Sequence, residues 1–190
     1  MTDYELAGLC AGATLESMLI RHYCPADAEA VNAVALAAFA QYRGVYDDWE
    51  TLSRSVGATS ALAEHAELIV AEEDAKVAGA VAYCPPRSQP RADFFEPHWP
   101  IIRMLVVDPA ARGRGIGRRL TEECITRARR DGAEVIALHT SPAMEVALTL
   151  YLRMGFRLER RVPDRFGVPY AVYLLPLAKT AVADGASTLA

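Results

Sequence analysis

The six residues from Arg112 to Gly117, RGRGIG, are the part of this chain whose types and spacing point most directly to chemistry. Glycines at 113, 115 and 117 remove Cβ atoms where the backbone must turn tightly and let something approach closely. An apolar run from Ile101 to Val107, interrupted by Arg103 and followed by Asp108-Pro109, comes before them; Leu120, Cys124, Ile125 and Ala128 follow at helical spacing. A strand therefore enters the glycine turn and a helix leaves it. The helix aims its unpaired N–H groups and the positive end of its dipole at the turn, which makes the turn a seat for phosphate. The dinucleotide fingerprint GxGxxG does not fit, because its last position falls on Arg118 or Leu120, and a Walker loop does not fit either, because Arg118 and Arg119 follow Gly117. Arg112, Arg114 and Arg118 suit a polyphosphate partner, whereas Arg127, Arg129 and Arg130 read as a solvated helix face.

The rest of the composition limits what this turn can serve. With 190 residues and a net charge of −4, the chain suits one globular domain over 18–177, with an N-terminal extension at 1–17 and a C-terminal tail at 178–190. No apolar run approaches the roughly 18 residues of a membrane span, and Met1 to Glu16 lacks the basic start and apolar stretch of a signal peptide, so the cytoplasm is the expected location. Neither membrane nor nucleic acid is expected as a partner. Cys10, Cys24, Cys84 and Cys124 form no CxxC pair, and His22, His65, His98 and His139 make no ligand cluster with them, so no metal is expected.

The elements that must position the turn can be followed in order. Met18 to Tyr23 reads as a first strand, and Pro25-Ala-Asp27 opens an alanine-rich helix through about Ala40. Phe39, Tyr42, Tyr46 and Trp49 continue at helical spacing despite Gly44, as an aromatic seam of the core. Glu67 to Glu73 and Lys76 to Cys84 form a β-hairpin. Prolines at 85, 86, 90, 97 and 100 then exclude regular structure, while Phe94, Phe95 and Trp99 give the segment something to bury. It reads as a lid or wall over a pocket, with contact between the copies of a homodimer as the competing explanation. After the glycine helix come a strand from Glu134 to Leu138, a helix from Pro142 to Met154 stopped by Gly155, and a final hairpin of Phe156–Val162 and Ala171–Leu175 around a loop, Pro163 to Pro169.

Residues Arg112, Gly115 and Gly117, after a strand ending in Val-Asp-Pro, resemble the R/Q-x-x-G-x-G/A turn of the GNAT superfamily of acyl-CoA-dependent N-acetyltransferases. Ala147 to Phe156 resembles the A-x-x-L-Y-x-x-x-G-F segment of the same family, in the family's order and at its usual separation. The resemblance is close from Ile101 to Arg161 and elsewhere rests on the order of elements. It implies an α/β (α+β) fold, the GNAT fold, with a mixed, mostly antiparallel sheet of about seven strands flanked by helices. It also implies acetyl transfer from acetyl-CoA to a primary amine, a small molecule in the first reading, by direct attack through a tetrahedral intermediate. A non-catalytic acyl-CoA-binding regulatory module, or a protein or peptide amine acetyltransferase, are the alternatives.

The same resemblance distributes the roles. CoA's pyrophosphate would rest on Arg112, Gly113, Arg114, Gly115, Ile116, Gly117 and Arg118, and its pantetheine arm would run along Leu105, Val106 and Val107, with the amide of Val106 or Val107 polarising the thioester carbonyl. Tyr151 takes the general-acid position, since a phenol of pKa about 10 stays protonated and can supply a thiolate near 8.5. Outside that motif it would read as an aromatic packed beside Leu148 and Leu152. Met144 stands where many members carry an Asn that touches CoA, and Ile101 stands at or beside the Glu of many relatives. The base then falls to Glu96, with Asp93, His98, Glu72 and Glu73 as alternatives acting through a water. Tyr42 and Tyr46, together with Phe94 and Phe95, are the expected acceptor-binding residues; Asp47, Asp48 and Glu50 add local negative charge.

Overall fold

A computed structural model describes residues 18–177; the expected extension at 1–17 and tail at 178–190 lie outside the described residues. Seven strands form one sheet: β1 (Leu19–His22), β2 (Glu67–Glu73), β3 (Lys76–Cys84), β4 (Ile101–Val107), β5 (Val135–Thr140), β6 (Arg157–Arg165) and β7 (Val168–Pro176). They lie side by side as β1-β2-β3-β4-β5-β7-β6, all antiparallel except the β4–β5 pair. This is the mixed, mostly antiparallel sheet flanked by helices that the sequence predicts.

The period of two along each strand divides the core into faces. Ile102, Ile136 and Leu138 pack with Leu120 and Cys124 of α3 (Ile116–Arg130) and with Tyr151 of α4 (Glu145–Arg153). On the other face Val70, Ala80 and Val106 pack against Val31, Ala35 and Leu52 from α1 (Ala28–Phe39) and α2 (Trp49–Val56). Phe95 and Trp99 of the proline-rich segment cover Ile101, Ala137 and Val172 on that same face. Full burial of side chains such as Leu120 and Ile116 contributes about 1.5–3 kcal/mol each, which is what holds α3, and so the glycine turn before it, against the sheet.

Three expectations need correction. The aromatics from Phe39 to Trp49 do not lie on one helix: α1 ends at Phe39, and α2 starts at Trp49, where the Asp48 carboxylate accepts from the Thr51 N–H at 3.0 Å as an N-cap. The loop expected from Pro163 to Pro169 is instead the two ends of a long hairpin, joined by Phe166 and Gly167 at φ 49° and 75°. Both prolines are tolerated because Pro163 sits on the outermost strand beside an irregularity in register, and Pro169 lies beyond the last β5–β7 pair, Thr140 with Ala171. The hairpin tip is held by Asp47, whose N–H donates to the Phe166 carbonyl at 3.0 Å. Finally, Arg127 is not solvated: it is buried and paired with Glu67 of β2 at 2.6 Å and with Glu123 at 3.0 Å.

The close seating of α3 depends on Gly79 of β3. A Cβ there would stand 2.9 Å from both Ile116 Cγ2 and the Val106 carbonyl oxygen, and the carbonyl belongs to the paired strand and cannot rotate away. Gly79→Ala is therefore expected to destabilise the fold by about 1–3 kcal/mol through overpacking. Urea unfolding measures this directly, and an unchanged midpoint would mean that α3 rides over the sheet with room to spare.

Candidate functional site

Strand β4 is regular only at its start. It pairs with β5 through Ile101–Ala137 and Ile102–Leu138, and no further pair continues the ladder. Two positions after the last pair, Met104 takes a left-handed φ of 50°, and the register with β3 slips between Ala80 and Ala82. A residue without glycine's freedom in that region is uncommon, and the accompanying bulge bends its strand away from the neighbour. Leu105, Val106 and Val107 thus present an open backbone edge to a gap between two parallel strands.

A cavity of about 1180 Å³ occupies the α3–α4 side of this gap. Leu105 to Val107 form one wall, Met144, Ala147 and Leu150 of α4 and its start form the other, and the glycine turn closes the end. Gly113 and Gly115 adopt φ of 82° and 81°, and a Cβ on either would meet nothing within 4 Å, so glycine answers to the backbone conformation there and leaves the seat clear. Gly117 differs: its Cβ would come 3.4 Å from Leu150 Cδ2, narrowing the gap. The first bond internal to α3 runs from the Arg119 N–H to the Gly115 carbonyl at 3.1 Å. Gly115 is the N-cap and has no side chain to fold back, which leaves the amides of Ile116, Gly117 and Arg118 for a ligand.

Charge in this cavity is positive. Arg112, Arg118, Arg129 and Arg153 line it against Glu122 and Glu145. Arg118 pairs with Glu122 at 2.8 Å on the exposed surface, an interaction worth little and readily exchanged for phosphate. Arg112 donates to the Ala38 carbonyl at 3.2 Å and to Gln41 at 3.3 Å, tying the turn to the end of α1. Arg114 points elsewhere, to Glu73 at 3.2 Å. Arg129 and Arg153 were not expected here. Arg129 shares a helix face with Arg118, Glu122 and Thr126, and that spacing was the available signal.

Tyr151 lies behind this wall with its ring 5.6 Å from that of Phe156, and burial pushes its phenol upward from the ordinary value. Its hydroxyl makes no hydrogen bond among the described residues, and Tyr151 is not among the residues that line this cavity. Tyr42 lines the same cavity from the α1 side.

A second cavity, of about 500 Å³, lies on the opposite face of the sheet where the strands part. Arg103 and His139, the residues directly after the last β4–β5 pair, form its floor; Phe94 and Phe95 of the proline-rich segment and Tyr170 of β7 stand around them. The His139 ring is 5.4–5.7 Å from all three aromatic rings. Burial, and then the nearby Arg165 and Arg103, push its imidazole down to about 4. Tyr46 is buried, with its hydroxyl 2.6 Å from that of Tyr170. Glu96, the expected base, is not brought to either cavity; it faces Arg160 at 3.4 Å on the outer hairpin. His139 carries no sequence signal, because its surroundings come from three segments distant in the chain.

Residues 29–156 match the sequence model of the Acetyltransferase (GNAT) family. N-acetyltransferase 8F1 of Rattus norvegicus is 35% identical over 98 residues, which is 52% of this chain and 42% of that protein, so the chain spans less than half the length of this relative. The fold matches the yncA protein of Salmonella typhimurium, in a structure with its cofactor acetyl-CoA, at a TM-score of 0.62 and 23% identity over 88% of this chain and 98% of that one. Ribosomal-protein-alanine N-acetyltransferase of Brucella melitensis is similar at a TM-score of 0.62 and 25% identity over 84% and 99% of the two chains. Among the described residues no cluster could hold a metal ion, and no helix is long and apolar enough to cross a membrane.

The neutral state of His139 has a consequence for stability. Its pKa falls from 6.5 to about 4 on folding, so between those values the unfolded chain binds a proton that the folded one does not. Stability is therefore lost as pH falls through this window, by up to roughly 3 kcal/mol. His139→Gln is expected to remove that part of the slope in urea unfolding measured from pH 7 to 4, and an unchanged slope would mean that the imidazole protonates freely in the folded state.

Proposed function

Because the chain belongs to the GNAT acetyltransferase family, we propose that it moves an acetyl group from acetyl-CoA to a primary amine, with the chemistry placed where β4 leaves β5. One observation carries this reading: an uncapped helix end in an arginine-lined cavity is continuous with an unpaired strand edge that leads into the sheet. The seat fits a polyphosphate, since it offers free amides at Ile116, Gly117 and Arg118, clear space over Gly113 and Gly115, and cationic side chains at Arg112, Arg118 and Arg129. Arg114, committed to Glu73, adds long-range charge only. The open edge of Leu105 to Val107 fits the amides of an extended pantetheine arm, which would lie there as a strand lies on a sheet edge.

A bound thioester supplies an activated acetyl group; the protein supplies position and protons. The Val107 or Val106 amide polarises the carbonyl from a fixed backbone position, at no cost of reorganisation. Tyr151 keeps its proton at neutral pH because burial opposes the phenolate, which suits it to hand that proton to a departing thiolate. The volume of the second cavity, about 500 Å³, lies in the range of small-molecule sites and supports a small amine as the acceptor, with Tyr42 and Tyr46 in the layer between the two cavities.

Gly115→Glu tests the seat. At φ 81° any side chain strains the turn, and a carboxylate would occupy the place of the pyrophosphate. CoA affinity in calorimetry is expected to fall below detection while the far-UV circular dichroism spectrum is retained; normal affinity in the folded variant would overturn the assignment. Tyr151→Phe tests the proton donor. It keeps the ring against Phe156 and removes a hydroxyl that has no partner among the described residues, so stability should shift by about 1 kcal/mol or less. The fall expected in kcat is about 10²- to 10⁴-fold, the usual worth of general acid catalysis. Wild-type kcat, with acetyl transfer shown to limit the rate, would return Tyr151 to a packing role.

A further inference from the structure

We propose that the second cavity is the acceptor site and that it selects amines bearing a carboxylate, such as amino acids, with Arg103 and Arg165 holding the carboxylate and His139 receiving the proton of the attacking amine. This rests on the acetyltransferase reading above and adds the class of acceptor and the identity of the base.

The cationic charge lining this cavity exceeds what its own structure uses. Arg91 is spent on the loop: it donates to the carbonyls of Trp99 at 2.7 Å, Pro85 at 3.1 Å and Glu96 at 3.2 Å. Arg103 leans on the Cys84 thiol, and Arg165 lies over the Phe166 ring at 5.4 Å; neither is paired with a carboxylate among the described residues. Against these two guanidiniums the lining sets one acidic side chain, Asp164. A simple ammonium would enter a field that repels it, while a carboxylate would find two forked donors, one half-buried on β4 and one at the rim. The remaining wall, from Phe94, Phe95, Ile101 and Val162, is apolar and accommodates a hydrophobic side chain.

His139 meets the other end of such a molecule. Its imidazole lines the cavity, and its Nδ1 has no hydrogen-bond partner among the described residues. The charged and titratable groups facing it are Arg103 from β4, Asp164 and Arg165 from β6, Tyr170 from β7 and Arg91 from the proline-rich segment. Burial holds its basicity down most, and a carboxylate that neutralises Arg103 and Arg165 removes the two lesser influences. The amine nitrogen then forms its bond to the acetyl carbonyl carbon as one of its protons passes to the His139 imidazole. The C–S bond breaks with its electron pair on sulfur and the thiolate takes the proton of Tyr151; His139 then releases its proton to solvent and the Tyr151 phenolate takes one back, so both groups return to their starting state.

The test compares matched acceptors: leucine, methionine and phenylalanine against the amines that result from removing their carboxyl groups, with thiol release from acetyl-CoA as the readout. The amino acids should be preferred in kcat/KM by about 10- to 100-fold, as expected for charge-assisted hydrogen bonds. Arg165→Gln and Arg103→Gln should erase that preference by raising the KM of the amino acids alone, and His139→Gln should lower kcat with KM nearly kept. Decarboxylated amines used as well as the amino acids, or arginine variants that leave the ratio intact, would overturn the acceptor assignment without touching the acetyltransferase reading. Tight acetyl-CoA binding with no turnover of any amine would overturn both.

Discussion

The structure turns on a broken hydrogen-bond ladder. Ile102 and Leu138 are the last paired residues of β4 and β5, and Met104 then enters a conformation that L-residues seldom adopt. An interrupted parallel pair in the middle of a sheet would ordinarily leave backbone groups unsatisfied. Here the break leaves a polar edge along Leu105 to Val107 and an opening between the strands, the two features that the proposed transfer requires. The two cavities share no lining residue. One cavity opens beside α3 and α4, the other beneath the proline-rich segment, and Tyr42, Met104, Val106, Met144 and Tyr170 belong to the one packed cluster that lies between them.

A gap of this kind must be held to a fixed width, and rigid contacts on both sides supply that. Gly79 lets α3 settle onto β3 and β4 at a distance no other residue would permit, and Gly117 keeps Leu150 of α4 in van der Waals range without filling the cavity. Arg112 binds the glycine turn to the C-terminal end of α1, where its charge also complements the helix dipole. Asp47, in the connection that follows α1, holds the β6–β7 tip through the Phe166 carbonyl. Packing on each face is thus linked to the loops around both cavities, and the left-handed Met104 is held in place by its surroundings.

The parts of this arrangement that depend on local rules were legible in the sequence. The strand, glycine turn and helix from Ile101 to Arg130 follow from apolar period and from φ values that only glycine tolerates easily, and the β2–β3 hairpin follows from two apolar runs separated by a short turn. Features that depend on distant partners were not. Arg127 reads as solvated until Glu67 arrives from 60 residues away. Pro163 and Pro169 suggest a loop unless the sheet edge is known to run beside them. Met104 has no propensity that announces a left-handed turn, and His139 acquires its environment from Phe94, Phe95 and Tyr170, so neither residue's surroundings could be read from its neighbours in sequence.

Electrostatics gives the two cavities related but distinct tasks. Both are cationic; in the proposed reaction the arginines at the first would meet a polyphosphate whose charge is fixed, and those at the second an acceptor whose amine must be neutral to attack. Positive charge near an amine disfavours its ammonium form, so Arg103 and Arg165 bias a bound acceptor toward the neutral nucleophile while a carboxylate elsewhere on the same molecule repays the interaction. That division explains why a weakly basic, buried imidazole can suffice at this position. The amine nitrogen loses its basicity as it bonds to the carbonyl carbon, so the imidazole has only to receive a proton that is already being released. A site built in this way reads the carboxylate and the amine together, and a ligand with only one of them loses either its anchor or its route to reaction.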